Sequence, residues 1–452
     1  MDQPTLFELP PEREPAAQTP LAGKPRLRMA QRQQVIVRTL ALDQMLPHDD
    51  EARAVWDFVC QCDLSPLLER IRAVEGNAGH PPADPRILLA LWLLATLKGV
   101  GSARELARLC ERHLAYQWLC GEVSMNHHAL SDFRTQHAAV LDGLLTQSIA
   151  VLMQAGAVTL QRVAQDGART RASAGKSSFH RRETLQRLLA QAREQVETLK
   201  REVDEDPAAA SRREIAAKQR AAEQRLERVQ RALAACAEVQ AQKDKRRGDP
   251  PKNPARASTT DPDARNMKMA DGGFRPAYNV QFATDTASQV IVGVEVTNQG
   301  SDAGQVAPMV EQIQQRTGVR PKDVLIDGGF CSHAEIETLN DPEQGYKVYT
   351  PVKAGEKKLE RGEDPFAPRP RESDRLTEWR VRMGTPEAQE IYKERAASAE
   401  CVNALARQRG LTQFRVRGTP KVRTVAVWFA LAHNLRRWAV LRADLTISVH
   451  YS

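Results

Sequence analysis

Three acidic side chains in this sequence have the chemistry and the local surroundings of metal ligands. Asp327 ends a short apolar run and is followed by two glycines, and Asp166 precedes Gly167 at the end of a second strand-like run. Glu400 lies in a helical stretch, residues 387–409. Carboxylate oxygens suit Mg²⁺ or Mn²⁺, and two such ions can hold both oxygens of a phosphoryl displacement. The alternative is that these are ordinary aspartates in strand-end turns.

A buried strand must present Asp327. The residues before it are apolar or β-branched, and the chain then breaks at Gly328 and Gly329. A charged residue that closes an apolar strand is costly unless something pairs with it. In open α/β sheets, ligands bind at the carboxyl ends of the strands. We therefore expect a site at that edge of a sheet, with the other two carboxylates as partners.

Composition limits the class of protein. The chain has 452 residues, which predicts about three domains, and its formal charge of +8 favours a polyanionic partner. The seven cysteines have no paired spacing, so the sequence indicates neither a disulfide framework nor a zinc site, and a reducing cytoplasm fits best. The longest apolar run, residues 87–97, is about half the length of a membrane span, so we expect no membrane partner.

The first 155 residues predict a tail and then a helical domain. Residues 1–44 are rich in proline, glutamine and charge, which predicts a mobile tail. Apolar spacings of three and four then predict short helices over residues 45–155, and Asp84 with Pro85 predicts the start of one of them. Helices joined by glycine turns, with arginines outside, fit a helix-turn-helix DNA-binding domain. A plain helical bundle fits equally well.

The middle of the chain predicts an insertion into an α/β domain. Residues 156–176 hold the first strand, with Asp166, and residues 177–250 interrupt the pattern. Two arms around Pro207 carry apolar residues at alternating steps of three and four, which predicts an antiparallel coiled-coil hairpin.

The α/β pattern continues over residues 251–445. It predicts strands and helices in alternation, with a charged, proline-rich loop over residues 353–386. The predicted strands and helices cover residues 278–284, 289–297, 304–316, 323–327, 332–339, 346–352, 387–409 and 422–441. This order is that of a ribonuclease H-like α/β fold, a mixed sheet flanked by helices. We therefore predict such a catalytic domain with an all-α N-terminal domain and the inserted hairpin.

The chain resembles the DDE transposases of bacterial insertion sequences, in the subgroup with a Tyr-x2-Arg-x3-Glu-x6-Lys signature. The resemblance covers roughly residues 45–440. Its further motifs are Asp261-Pro-Asp263-Ala-Arg265, Tyr278-Asn-Val-Gln281, Ile326-Asp327-Gly-Gly-Phe330 and Ala432-His-Asn434-Leu-Arg436. It implies that Asp166, Asp327 and Glu400 are the catalytic triad and hold Mg²⁺ or Mn²⁺, as two ions.

The resemblance also implies partners and a location. The partners are double-stranded DNA, as terminal inverted repeats and as target, and a second copy of the chain in a homodimeric paired-end complex. Tyr392, Arg395 and Arg407 would lie at DNA phosphates, whose oxygens suit the arginine fork. The hairpin would contact the other subunit or flanking DNA, or would be a passive protrusion. The location would be the bacterial cytoplasm, in association with the nucleoid.

The signature departs from the family pattern in two places. Tyr392 and Arg395 keep their spacing, but four residues separate Arg395 from Glu400, and Arg407 replaces the lysine. One extra residue rotates a helical side chain by about 100°. Either Glu394 is therefore the third ligand, or a local bulge returns Glu400 to the face. The six residues between Glu400 and Arg407 favour Glu400.

The predicted function is that of a transposase that binds element ends and catalyses metal-dependent strand cleavage and strand transfer. One alternative is a catalytically inactive, transposase-derived DNA-binding protein, which the altered signature would permit. Another is a coiled-coil assembly factor, which leaves the three carboxylates unexplained.

Overall fold

The computed structural model describes residues 33, 35, 39, 41–76, 80–205, 212–245, 253–353 and 355–450. The chain divides into two units, Met1–Ala41 and Leu42–Ser452, and every helix and strand named below belongs to the second. Most of the tail predicted over residues 1–44 lies outside the described residues.

Seven α-helices precede the first strand in the described part of the chain. They are α1 (Glu51–Gln61), α2 (Ser65–Leu68), α3 (Pro85–Leu97), α4 (Ala103–Arg112), α5 (Leu114–Cys120), α6 (His127–Gln136) and α7 (Ala138–Gln154). The predicted start of α3 is confirmed, because Oδ1 of Asp84 accepts a hydrogen bond of 2.8 Å from the Arg86 amide and Pro85 is the first helical residue. Across the described ranges, no helix combines the length and the apolar character that a membrane crossing requires.

The hydrophobic core runs without interruption from these helices into the sheet. Nearly every residue of α3 is buried. The indole of Trp92 donates to the Leu130 carbonyl at 2.9 Å and packs, with 6.5 Å between ring centroids, against Trp428 of the last helix, α16 (Thr419–His450). Trp428 in turn donates to the Arg134 carbonyl at 3.0 Å. The last helix therefore completes the packing of the first helices, and the domain boundary at residue 155 stays a prediction.

Six strands form one mixed sheet, and two short strands form a second. The strands are β1 (Arg162–Arg171), β2 (Phe179–His180), β3 (Ala257–Ser258), β4 (Arg265–Lys268), β5 (Phe274–Asp285), β6 (Ile291–Thr297), β7 (Asp323–Leu325) and β8 (Lys347–Tyr349). β5 pairs antiparallel with β1, β4 and β6, whereas β1, β7 and β8 pair in parallel. The order β6-β5-β1-β7-β8, with helices around it, fits a ribonuclease H-like α/β domain and confirms the predicted mixed sheet.

Two long helices follow β2 and lead back to β3. They are α8 (Arg182–Glu205) and α9 (Arg212–Asp244). Leu185, early in α8, shares a small apolar cluster with Cys236, late in α9, and Gln195 accepts a 2.8 Å hydrogen bond from Arg225. The contacts therefore run in opposite order along the two helices, while β2 and β3 pair antiparallel at their base. The predicted break around Pro207 lies outside the described residues, and the coiled-coil assignment stays a prediction.

Helices cover the later strands. They are α10 (Val306–Thr317), α11 (His333–Leu339), α12 (Gly355–Leu359), α13 (Asp374–Met383), α14 (Pro386–Arg395) and α15 (Cys401–Gln408). The loop predicted over residues 353–386 is wrong where α12 and α13 lie. The apolar face of α13 buries Leu376, Trp379 and Met383. Arg380 is also buried, and its Nε donates to Glu372 at 2.8 Å. The charged composition of this segment predicted a loop instead of a helix. Arg380 can nevertheless lie in the core, because Glu372 pairs with its charge.

The motif Ala432-His-Asn434 attaches α16 to the edge strand β6. The Asn434 side chain accepts from the Ile291 amide and donates to the Ile291 carbonyl, each at 2.8 Å. Nε2 of His433 donates to the Gln289 carbonyl at 2.8 Å. These bonds occupy backbone groups that an edge strand would otherwise leave unpaired.

His433 should make stability depend on pH. Burial lowers the pKa of His433 to about 4, and the charges of Arg409, Arg437 and Arg436 also oppose its protonation. The unfolded histidine binds its proton near pH 6.5, so the unfolded chain holds more protons between pH 6.5 and 4. We expect the free energy of unfolding to fall across that window by roughly 3 kcal/mol, at about 1.36 kcal/mol per pH unit.

The measurement is urea unfolding at pH 7 and at pH 4.5, for the wild type and for His433→Gln. The glutamine amide can donate to the same carbonyl but does not titrate, so the variant should lose clearly less stability on acidification. Equal losses in the two proteins would contradict the assignment to His433.

Candidate active site

Asp166 lies in the middle of β1, which corrects the strand end predicted from the Asp-Gly pair. The strand continues because Gly167 stays extended and pairs with β5. β7 pairs only with the first three residues of β1, and the last pair joins Ala164 to Leu325. Extending this parallel register by two residues brings Asp166 level with Asp327, and neighbouring strands lie about 4.8 Å apart. The register therefore places Asp166 level with the carboxyl end of β7, where Asp327 follows.

The Asp166 carboxylate is surrounded by donors. Oδ1 accepts from the Gly167 amide at 2.9 Å, and Oδ2 accepts from Nδ2 of Asn403 at 3.0 Å. Nη2 of Arg395 lies 3.5 Å from Oδ1. Burial raises the pKa of Asp166, and the positive charge of Arg395 opposes this rise. Such a carboxylate, buried against a specific charged partner, is typical of functional sites.

Asp327 begins the turn after β7 and is exposed. Its Oδ1 accepts from the Gly328 amide at 2.8 Å, and the buried ring of Phe330 anchors the turn. The Tyr392 hydroxyl donates to the Ile326 carbonyl at 3.2 Å. Burial raises the pKa of Tyr392 to about 12, so the phenol keeps its proton at neutral pH. Tyr392 thus attaches α14 to the end of β7, next to Asp327.

A π-helical turn over Ala396–Glu400 joins α14 to α15. An α-helix that gained one residue between Arg395 and Glu400 would turn Glu400 about 100° away. A π turn closes an i→i+5 bond and so accommodates one extra residue within a continuous helix. Nη1 of Arg395 accordingly donates to Oε1 of Glu400 at 2.7 Å. The structure therefore contains a local bulge of the kind that the Glu400 alternative needs, and the assignment of Glu400 as the third ligand stays a prediction.

Arg395 lies at the centre of the cluster. It forms ion pairs with Asp166 and Glu400. Burial lowers the pKa of Arg395, but Asp166, Tyr392, Asp327 and Glu400 together raise it above its usual value. All three predicted carboxylates therefore act electrostatically on one guanidinium.

The alternative ligand Glu394 and the signature residue Arg407 are not part of this cluster. Glu394 pairs with Arg162 and accepts a 2.7 Å bond from Thr286, so its carboxylate is engaged near the start of β1. Arg407 is exposed on α15, and within the described residues it has no hydrogen bond or ion pair to Asp166 or Glu400.

Asn403 is a site residue that the sequence reasoning missed. It is buried on the face of α15 that also carries Val402 and Ala406, and its amide holds Asp166. A polar residue on an apolar helix face, three positions after Glu400, was the available signal. Its Oδ1 is buried without a partner among the described residues.

A cluster of polar side chains lies on the opposite face of β1, and the sequence reasoning missed it as well. Oδ1 of Asp302 accepts from Nδ2 of Asn279 and from Nε2 of Gln281, each at 2.6 Å. Gln165 donates to Gln281 at 3.0 Å. A Cβ on Gly167 would come within 3.0 Å of atoms of three of these side chains. The glycine after Asp166 therefore makes room for this group rather than for a turn.

The three predicted carboxylates can be compared with the ligands that a divalent metal ion requires. Within the described part of the chain, no three His, Cys, Asp or Glu side chains stand close enough together to hold a metal ion. The Arg395 guanidinium lies between Asp166 and Glu400. Asp166, Asp327 and Glu400 nevertheless offer only carboxylate oxygens, which suit Mg²⁺ and Mn²⁺. Three carboxylates and one guanidinium together carry a net negative charge. The chemistry of these residues therefore suits a divalent cation.

Two family models match the chain. The model described as "Transposase DDE domain" matches residues 250–435, which include Asp327 and Glu400, and the model described as "Transposase domain (DUF772)" matches residues 40–136. No curated protein matches the chain significantly. The two matched segments together span more than half of the chain. The chain belongs to the DDE transposases of insertion sequences.

Proposed function

We propose that this transposase binds the ends of its insertion sequence and catalyses metal-dependent DNA strand cleavage and strand transfer. The supporting observation is that Arg395 pairs with both Asp166 and Glu400, while Tyr392 of the same helix bonds to the Ile326 carbonyl, next to Asp327. The DDE family generally uses divalent metals.

The carboxylates and their neighbours have separate roles in this proposal. Asp166, Asp327 and Glu400 would hold the ions. Mg²⁺ or Mn²⁺ bound there, as two ions, would supply Lewis acidity for attack by water or a 3′-hydroxyl on a phosphodiester. Asn403 and Tyr392 are positioning residues, because Asn403 fixes the Asp166 carboxylate and Tyr392 attaches α14 to β7.

Arg395 changes its partner in this proposal. In the protein alone it forms ion pairs with both Asp166 and Glu400. A DNA phosphate would compete for the same guanidinium, because its oxygens match the two-pronged donor geometry of arginine. Arg407, one helical segment further along, would contact a neighbouring phosphate. The Tyr392 hydroxyl would contact a DNA phosphate at the end of β7.

The inactive-descendant alternative was motivated by the extra residue before Glu400. The π turn keeps Glu400 beside Arg395 despite that residue. This geometry supports the catalytic reading over the alternative.

The wider assembly is part of the same proposal. The helices of residues 45–155 would contact the terminal inverted repeats, and the helix pair of residues 177–250 would act as a coiled-coil hairpin in a homodimeric paired-end complex with target DNA. This complex would form in the bacterial cytoplasm, at the nucleoid.

A cleavage assay tests the function directly. The substrate is a labelled duplex with the DNA that flanks the protein's own gene, and a duplex of shuffled flank sequence is the control. We expect strand cleavage and joined products with Mg²⁺ or Mn²⁺, and neither with EDTA. Binding without cleavage under either ion would establish the inactive alternative. Equal binding of both duplexes would refute recognition of the element ends.

A further inference from the structure

Two neighbouring cavities at the junction of α3, α15 and α16 are lined by basic side chains. One has a volume of about 490 Å³ and the other about 240 Å³, and Arg409 lines both. We call the two together the basic groove; its basic residues are Lys98, Arg134, Arg409, Arg415, Arg436 and Arg437. No Asp or Glu is among the described residues that line it.

The positive charge in the groove is only partly compensated. Lys98 pairs with Glu51 at 2.8 Å, just outside the lining. Burial lowers the pKa of Arg409 and the nearby Arg436 lowers it further, while Glu51 opposes both effects. Nη1 of Arg409 is buried and has no hydrogen-bond partner among the described residues. A guanidinium that is desolvated beside like charges is costly unless an anion pairs with it.

Arg134, in the smaller cavity, is likewise a buried guanidinium close to another positive charge. It is 9% exposed, and burial together with Arg415 lowers its pKa to about 10. Its Nη1 donates to the Gly101 carbonyl at 2.6 Å, and its guanidinium lies 4.6 Å from the ring centroid of Trp92. These contacts hold the charge in place, while Nε has no partner in the described part of the chain.

The groove lies a short distance along the helix from the candidate active site. Glu400 and Arg409 are nine residues apart across α15, which at 1.5 Å per residue is about 13 Å. That distance is the rise of about four base pairs at 3.4 Å each. Gln289, which lines the larger cavity, also donates to the Ala397 carbonyl of the π turn at 3.1 Å.

We propose that the basic groove binds the phosphate backbone of duplex DNA about four base pairs from the phosphate that is cleaved. This inference rests on the proposed function and adds a binding surface to it, outside the triad and the signature residues. The groove would fix the direction in which the duplex leaves the active site, because phosphate contacts set register without reading sequence.

Salt-dependent DNA binding tests the groove. The test variant is Arg415→Ala/Arg436→Ala, in which both side chains are exposed and should be dispensable for folding. The matched control is Lys322→Ala/Lys347→Ala, which removes the same charge at the N-terminal ends of the parallel strands β7 and β8, away from the carboxyl end of β7 and Asp327. The full chain is titrated against a labelled flanking duplex at several NaCl concentrations.

Each phosphate contact contributes about 0.9 to the slope of log K against log salt, so we expect the test variant to lose about 1.8 of slope and the control to keep it. A wild-type slope in the test variant, or an equal loss in the control, would overturn the groove proposal. Competition by millimolar inorganic phosphate, beyond chloride of equal ionic strength, would assign the groove to free phosphate instead.

The proposed function and the groove can fail separately. A wild-type protein that neither binds nor cleaves the duplex refutes the function. A wild type that does both, beside a test variant with an unchanged slope, refutes only the groove.

Discussion

Asp166→Asn, Asp327→Asn and Glu400→Gln should each reduce DNA strand cleavage by about a thousandfold or more, and Glu394→Gln should not. Each of the first three changes removes one charge from the cluster around Arg395, and residues that act together in a site each cost nearly the whole effect when removed. Glu394 instead pairs with Arg162 and Thr286. Its loss should cost only about 0–1 kcal/mol of stability, since that ion pair is more than a third exposed.

The measurement is nicking of a labelled flanking duplex, with binding followed separately by fluorescence anisotropy. All four variants should still bind DNA, because the substitutions leave the basic side chains in place. If Glu400→Gln cleaves and Glu394→Gln does not, the π turn is irrelevant and the third ligand is Glu394.

Gly167→Ala should destabilise the protein by about 3 kcal/mol. The added Cβ would lie within 3.0 Å of Oδ1 of Asp302, Nε2 of Gln281 and Oδ1 of Asn279. Overpacking a filled interior costs about 1–3 kcal/mol, and separating hydrogen-bonded buried groups adds to that cost. Because the substitution is adjacent to Asp166, cleavage should fall as well.

The matched control is Gly143→Ala in the interior of α7. A Cβ there meets nothing within 4 Å, so helix propensity alone predicts a gain of about 0.5–1 kcal/mol. Urea unfolding of both variants and the wild type measures the difference. A Gly167→Ala protein as stable as the wild type would mean that Asp302 and its partners can move aside freely.

The sequence was most informative where local patterns decide the structure. An apolar run that ends in Asp327 and two glycines predicted β7 and its turn, and the Asp84-Pro85 pair predicted the start of α3, because strand ends and helix caps depend on adjacent residues. The spacing anomaly before Glu400 likewise reduced the alternatives to a misassigned ligand or a bulge.

Other features depended on residues far apart in the chain. The course of β1 through Gly167 is set by Asp302 and Gln281, which lie more than a hundred positions away. Glu394 and Glu400 have different partners, because Arg162 of β1 pairs with Glu394 and Arg395, which also pairs with Asp166 of β1, pairs with Glu400. No spacing within the signature contains that information, because side chains on one helix turn can face different tertiary partners.

The packing of Trp428 against Trp92 also affects the order in which the protein can mature during translation. Trp428 is synthesised 274 residues after Gln154, the end of α7. At about 5–20 residues per second, this delay lasts roughly 15 to 55 seconds. Until then, the growing chain presents an incompletely covered apolar surface to chaperones and proteases. Any product that stops before α16 keeps that surface exposed. Premature termination should therefore prevent the N-terminal helices, as well as the catalytic domain, from reaching their folded state.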